Sequence, residues 1–166
     1  GVPYRRGLAK NNHVGRSFIV PTQARREQIV RQKLNPLKDV VRGKKVAVVD
    51  DSIVRGTTSK HIVKLLRESG AAEIYFVSAA PPIVCPCIYG IDMSVKREII
   101  AAHYDPKQIA HYLEADAVIY QSLDDLRALY RDLPCCYACF SGDYPTGASE
   151  ELLKQIEQEK ECSTRN

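Results

Sequence analysis

The run from Val46 to Lys60, VAVVDDSIVRGTTSK, constrains this chain more than any other stretch of it. Its β-branched residues favour a strand, which ends in two adjacent carboxylates, Asp50 and Asp51. A short turn, Ser52 to Thr57, then carries Arg55, Gly56 and hydroxyls before a helical pattern begins. In an open parallel sheet, ligands collect beyond the carboxyl ends of the strands. A glycine-containing turn that enters a helix offers backbone N–H groups and the positive end of the helix dipole to an anion. Acid pair and anion cradle side by side predict a ligand with hydroxyls (or a metal) next to a phosphate, and a phosphorylated sugar meets that description.

The remaining pattern predicts an α/β protein with a central, mainly parallel sheet flanked by helices. Lys45–Asp50, Glu73–Ala79 and Ala117–Tyr120 read as strands. Helices are predicted from Thr58 to Glu68, with Ile62, Val63, Leu65 and Leu66 as the apolar face and Gly70 as the stop, and from Asp105-Pro106 to Leu113. Ser122 caps another, to about Asp132, with Asp125 at the capping-box position. Ser149–Glu161 reads as a charged final helix. Val14–Val20 is a short β-like run, Pro21–Lys33 a polar, Arg-rich loop or loose helix, and Asn35-Pro36 and Arg42-Gly43 break the chain before the first strand.

With 166 residues the chain fits one domain with a real core. It has no run of eighteen apolar residues, so no membrane span is expected. The chain begins at Gly1, and its opening GVPYRRGLAK reads like the middle of a longer protein. From Gly1 to Lys45 twelve Lys and Arg face two acids, a net of +10, which leaves −6 for the rest of a chain whose total is +4. Such a basic face suits a polyanion, although a solvated surface has the same composition. It lacks the interleaved aromatics of a single-strand nucleic-acid platform, and a small, highly charged phosphate ligand explains it as well.

Six cysteines, Cys85, Cys87, Cys135, Cys136, Cys139 and Cys162, all lie in the second half. Adjacent Cys135 and Cys136 suit separate disulfides poorly, so metal binding is the better reading. Thiolates at C-x-x-C spacing with another cysteine elsewhere hold zinc or an iron–sulfur cluster, and spacing alone favours neither.

The turn is neither a P-loop nor a dinucleotide fingerprint. Its D-D-S-x-x-x-G-T-T order resembles the phosphoribosyl-pyrophosphate (PRPP) motif of the type I phosphoribosyltransferases, and VVDDSIVRGTTS most resembles the form found in the glutamine-using amidophosphoribosyltransferase family. The resemblance runs from VPY near the start to YPTG near Gly147. It implies a type I phosphoribosyltransferase fold over residues 1–133, with the amino-terminal part missing. Residues 134–166 would add a cysteine-rich loop and carboxy-terminal helix, and the family's glutaminase domain is absent from this chain.

By the same resemblance, Asp50 and Asp51 lie against the ribose hydroxyls and hold Mg²⁺, while Ser52, Arg55, Gly56, Thr57 and Thr58 bind PRPP around its 5′-phosphate. KNNHVGRSFIVPTQ, Lys10 to Gln23, is similar to the family's closing loop and gives Lys10 and Arg16 a catalytic role in closure or at the leaving group. Asn12 and His13 depart from the usual Arg and Tyr, and no catalytic histidine is implied. Arg25, Arg26 and Arg31 remain open between this loop and solvation. The segments PCIYGID and CYACFSGDYPTG resemble the family's 4Fe–4S-binding sequences. Cys87, Cys136 and Cys139 are then three ligands of a cluster that needs a fourth, while Cys85 and Cys135 read as small buried bystanders and Cys162 is assigned no role. Ile88–Met93 contributes a loop near the site, in which Asp92 is either functional or structural. His61, His103 and His111 are assigned nothing.

The implied activity is that of a pentosyltransferase, making 5-phosphoribosylamine from PRPP and glutamine-derived ammonia with release of pyrophosphate, the first step of de novo purine synthesis. The implied setting is cytoplasmic and homo-oligomeric, a homotetramer by family, joined to a glutaminase domain of the same full-length chain, with no nucleic acid and no membrane. This segment alone is expected to be inactive with glutamine. Two alternatives keep the PRPP site: a nucleobase phosphoribosyltransferase, disfavoured by the paired cysteine segments, and a purine-responsive regulator, disfavoured by the intact loop of Lys10 and Arg16.

Overall fold

The computed structural model describes residues 2–10, 34–91, 95–148 and 150–163. Its centre is a three-stranded parallel sheet in the order β3–β4–β5, with β3 at Lys45–Asp50, β4 at Glu73–Ser78 and β5 at Ala117–Tyr120. Register pairs Asp50 with Ser78 and Ser78 with Tyr120, so the carboxyl ends of the three strands finish level. Ahead of the sheet, β1 (Leu8–Lys10) and β2 (Leu34–Pro36) form a small antiparallel ladder in which Lys10 lies opposite Leu34. Leu8 and Leu34 pack on the core and moor this ladder to the body of the domain.

Two helices cover one face of the sheet. Helix α2, Thr57–Glu68, buries Ser59, Ile62, Val63 and Leu66, the i, i+3, i+4, i+7 spacing of a single helical face. It stops at Gly70, whose φ of +90° turns the chain at little steric cost. Helix α3, Pro106–Leu113, opens with a full capping box: Gln108 N–H donates to Asp105 Oδ1 at 2.8 Å and Asp105 N–H to Gln108 Oε1 at 2.9 Å. Its Ile109, Ala110 and Leu113 meet Ile74 and Phe76 of β4 and Val118 of β5 in one core. On the opposite face Val49 and Ile119 remain exposed, at 69% and 50%.

The predicted strands match to within a residue, and α2 begins one residue early. The predicted helix from Ser122 exists as α4 (Leu123–Leu129), capped by Ser122 Oγ accepting from Asp125 N–H, but it ends three residues short of Asp132. None of its residues is buried, so no packing extends it beyond its cap. The final helix, α6, runs Glu150–Ser163 rather than Ser149–Glu161. The sequence reading does not foresee the β1–β2 ladder, a one-turn helix α1 at Lys38–Val41, another, α5, at Ala138–Ser141, or the 3₁₀ turns Lys96–Glu98 and Ile100–Ala102. Asn35-Pro36, read as a breaker, lies within β2. The predicted run Val14–Val20 and the stretch Pro21–Lys33 lie outside the described residues. Among the described residues no helix is long and apolar enough to cross a membrane.

One polar knot ties α2 to the sheet. Asp116 Oδ2 accepts from Ile74 N–H and from Arg67 Nη2, both at 2.6 Å, while Arg67 Nη1 donates to the carbonyl of Ala72 at 3.1 Å. The Ile74 N–H, then the Arg67 guanidinium, hold the Asp116 carboxyl below its ordinary range. A depressed acid adds stability above its unfolded pKa and loses it as pH falls through its folded value. Asp116→Asn is therefore expected to cost about 1 kcal/mol at neutral pH, after allowing for solvent screening of a partly exposed pair. Urea midpoints measured from pH 7 down to pH 2 should show the parent and the variant converging at the acid end.

Candidate functional site

At the carboxyl end of β3 the chain leaves the sheet through Asp50 and Asp51, whose carbonyls accept from Ala79 and Ala80 N–H at 2.9 and 3.0 Å. The loop after β4 thus fixes the backbone beneath the acid pair. Asp50 Oδ1 accepts Asp51 N–H at 3.0 Å, and Ser52 Oγ donates to Asp51 Oδ1 at 3.2 Å. Asp50 is half-buried and Asp51 exposed. Burial raises the Asp50 carboxyl above its ordinary value, the Asp51 N–H pulls it partly back, and the neighbouring Asp51 charge adds to the rise.

Between Asp51 and α2 the turn is anchored by Ile53, only 1% exposed in the core. Gly56 heads α2 in the left-handed conformation, φ +74°, and no side chain caps the helix start. A Cβ at this position would stand 3.1 Å from Tyr112 Cε1, 3.2 Å from Ile100 Cδ1 and 3.3 Å from Leu113 Cδ2. Only glycine satisfies both the dihedral and the space. Thr57 and Thr58 are exposed in the first helical turn. The arrangement offers an anion uncapped N–H groups, hydroxyls and a helix dipole, a few residues from two carboxylates able to hold a hard cation together with a ligand's oxygens. That donor chemistry fits Mg²⁺.

The residues predicted to act together are only partly gathered. Asp50, Asp51, Ser52, Thr57 and Thr58 follow one another along strand end, turn and helix start and are at least partly exposed, while Gly56 is buried among them. Arg55 belongs to the turn, but its guanidinium Nη2 makes a 2.7 Å ion pair with Glu98 Oε2. Lys10 ends β1 opposite Leu34. Arg16, His13, Arg25, Arg26, Arg31 and Asp92 lie outside the described residues. Sequence reasoning passed over Glu98 and Ile100, and no local pattern pointed to them, since they reach the turn through tertiary packing.

The two cysteine segments do meet. Val84 and Cys85 N–H both donate to the Cys139 carbonyl, at 2.9 and 3.1 Å, and Tyr144 Oη donates to the Pro86 carbonyl at 2.7 Å. Tyr89 Oη lies 2.9 Å from Thr146 Oγ1. Burial raises the Cys139 thiol, and the nearby Cys87, Cys136 and Cys85 push it the same way. Cys135 is exposed and Cys85 half-buried, which corrects their reading as buried hydrophobes. Soft thiolates suit an iron–sulfur cluster. Among the described residues, however, no three His, Cys, Asp or Glu side chains stand close enough to hold a metal, so the donor chemistry fits while a ligand cage is not assembled. Cys162 carries no described side chain.

Fold and turn together define a type I phosphoribosyltransferase domain. By sequence the chain belongs to the amidophosphoribosyltransferase family. It is 43% identical to the amidophosphoribosyltransferase of Saccharomyces cerevisiae, with all of the chain aligned to 33% of that protein. It is 49% identical to the Bacillus subtilis enzyme over 92% of the chain and 33% of the relative. Against the Methanocaldococcus jannaschii enzyme the identity is 46% over 92% of the chain and 32% of the relative. Among solved structures, the B. subtilis glutamine PRPP amidotransferase in complex with ADP and GMP superposes with a TM-score of 0.73 at 47% identity, covering 87% of this chain and 33% of that one. A structure described as the allosteric regulatory enzyme of purine biosynthesis gives 0.76 at 45% identity, covering 94% and 35%. The chain thus spans about a third of the length of the curated relatives it matches. No family model matches it.

Gly56→Ala tests how tightly the turn is specified. Strain at positive φ and crowding against Tyr112, Ile100 and Leu113 should lower stability by roughly 1–3 kcal/mol, read as a fall in the urea midpoint.

Proposed function

We propose that this chain supplies the PRPP-binding transferase part of an amidophosphoribosyltransferase, which forms 5-phosphoribosylamine from PRPP and glutamine-derived ammonia and releases pyrophosphate at the first step of purine synthesis. The observation that carries this reading is the level carboxyl edge of the sheet, where Asp50 and Asp51 stand beside an uncapped helix start headed by left-handed Gly56. In this reading residues 1–133 are the transferase domain and residues 134–166 an extension whose cysteine loop packs back on Pro86 and Tyr89. The glutaminase belongs to the remainder of a longer chain. The protein works as a cytoplasmic homo-oligomer, a tetramer by family.

The reaction replaces pyrophosphate at C1 of the ribose through a cation-like transition state, so catalysis rests on positioning, charge neutralisation and exclusion of water. Asp50 and Asp51 accept hydrogen bonds from the ribose 2′- and 3′-hydroxyls and place negative charge beside the developing positive carbon. Ser52 to Thr58 orient the 5′-phosphate through backbone N–H groups and the Thr57 and Thr58 hydroxyls. Mg²⁺ bound by the two carboxylates and by ligand oxygens would help neutralise the pyrophosphate. Lys10 and Arg16 close over the leaving group. Support for that placement is the β1–β2 ladder, which brings the two ends of the intervening segment together at the domain surface.

Isothermal titration of the full-length protein with PRPP and Mg²⁺ tests the reading. Asp50→Asn and Asp51→Asn are each expected to lower the Mg²⁺-dependent affinity at least tenfold, and unaltered affinity and turnover would end it. Because folding raises the Asp50 pKa, the folded state favours its neutral form, and above that pKa the ionised group opposes folding. Asp50→Asn should therefore raise the thermal midpoint near neutral pH while it removes binding. In the parent, Mg²⁺-assisted affinity should fade on acidification before pH reaches the ordinary carboxylate range.

A 4Fe–4S cluster on Cys87, Cys136 and Cys139, with a fourth ligand from elsewhere in the longer chain, completes the proposal. Its support is the docking of residues 84–89 on residues 137–146. Anaerobic purification should yield a brown protein whose iron and sulfide are lost in Cys136→Ser. A colourless, zinc-loaded product would remove the cluster and leave the transferase reading standing.

A further inference from the structure

Three consecutive residues of the phosphate turn are gripped by one short segment. The Val54 carbonyl accepts Ile100 N–H at 2.9 Å, Arg55 pairs with Glu98 at 2.7 Å, and Gly56 is enclosed by Ile100, Tyr112 and Leu113. Glu98 and Ile100 belong to two adjoining 3₁₀ turns, Lys96–Glu98 and Ile100–Ala102. Both members of the ion pair line an open cavity of about 700 Å³, whose wall continues through Tyr104, Lys107 and Tyr112. Glu98 thus holds the half-exposed Arg55 guanidinium against the 3₁₀ segment.

We propose that Glu98 is a positioning residue for the phosphate turn and acts through Arg55. By holding the guanidinium, it ties the turn to the 3₁₀ segment, so that the turn meets a phosphate with its backbone N–H groups already arranged. Arg55 becomes a brace and not a direct phosphate contact. The part of this proposal that concerns ligand binding rests on reading the turn as a PRPP site. The bracing itself does not.

Two measurements on the full-length protein test it. Hydrogen exchange without ligand reads the brace alone: amides of residues 52–58 should exchange faster in Glu98→Gln than in the parent, and unchanged exchange would overturn the proposal. Steady-state kinetics with PRPP read its consequence. Glu98→Gln and Arg55→Met should each raise KM for PRPP about two- to fivefold, the worth of a half-exposed ion pair, with kcat unchanged. The double variant should be no worse than either single one. Tighter binding by Glu98→Gln, or a far larger loss in Arg55→Met than in Glu98→Gln, would show Arg55 to be a direct ligand contact and overturn the proposal. A parent protein that shows no affinity for PRPP would sink the functional reading, while the exchange result would still decide the brace.

Discussion

The architecture of the site depends on the absence of one methyl-sized group. With only hydrogen on its Cα, Gly56 can take a left-handed conformation and sit directly against Tyr112, Ile100 and Leu113. That close approach lets helix α2 begin immediately after the turn and keeps its first N–H groups clear of any capping side chain. It also joins the turn to α3 and to the core, so the cradle inherits the rigidity of the domain. A binding surface at the end of a packed helix and a strand is better ordered than one carried by a loop alone.

The level ending of the three strands provides the second constraint. Since Asp50, Ser78 and Tyr120 lie in register, the loops that follow them emerge from one edge. The backbone at Ala79 and Ala80 is then within reach of the carbonyls of Asp50 and Asp51. The acid pair is supported from below by a neighbouring strand's loop, while Asp50 pays for its half-burial with a raised pKa. A group that opposes the fold in its charged form is the kind of strain that functional sites retain.

Much of this was legible from residue order, because the determinants were local. Strands β3, β4 and β5 came from β-branched and apolar runs bounded by breakers, and α3 from an aspartate cap followed by proline. The turn itself was legible because its acids, glycine and hydroxyls are contiguous. What could not be read depends on distant partners. The β1–β2 ladder joins two three-residue strands too short to show alternation, and its second strand contains a proline that argues against one. Glu98 lies in a charged stretch, Lys96 to Glu98, that reads as surface, and its importance comes from a contact made more than forty residues away in sequence. Helix α4 ended early because a cap alone does not extend a helix without a buried face. Cys85 reads as a buried bystander, although its backbone N–H is one of the two that donate to the Cys139 carbonyl.

The small antiparallel ladder has a consequence for variation among relatives. Lys10 and Leu34 are neighbours across it, and Leu8 and Leu34 fasten both strands to the hydrophobic interior. Whatever the chain does between those two residues, it departs from and returns to a single fixed doorway. The entropy of closing such an excursion grows only slowly with its length. Insertions or deletions between them can therefore be accommodated without moving the strand end of β3 or the start of α2.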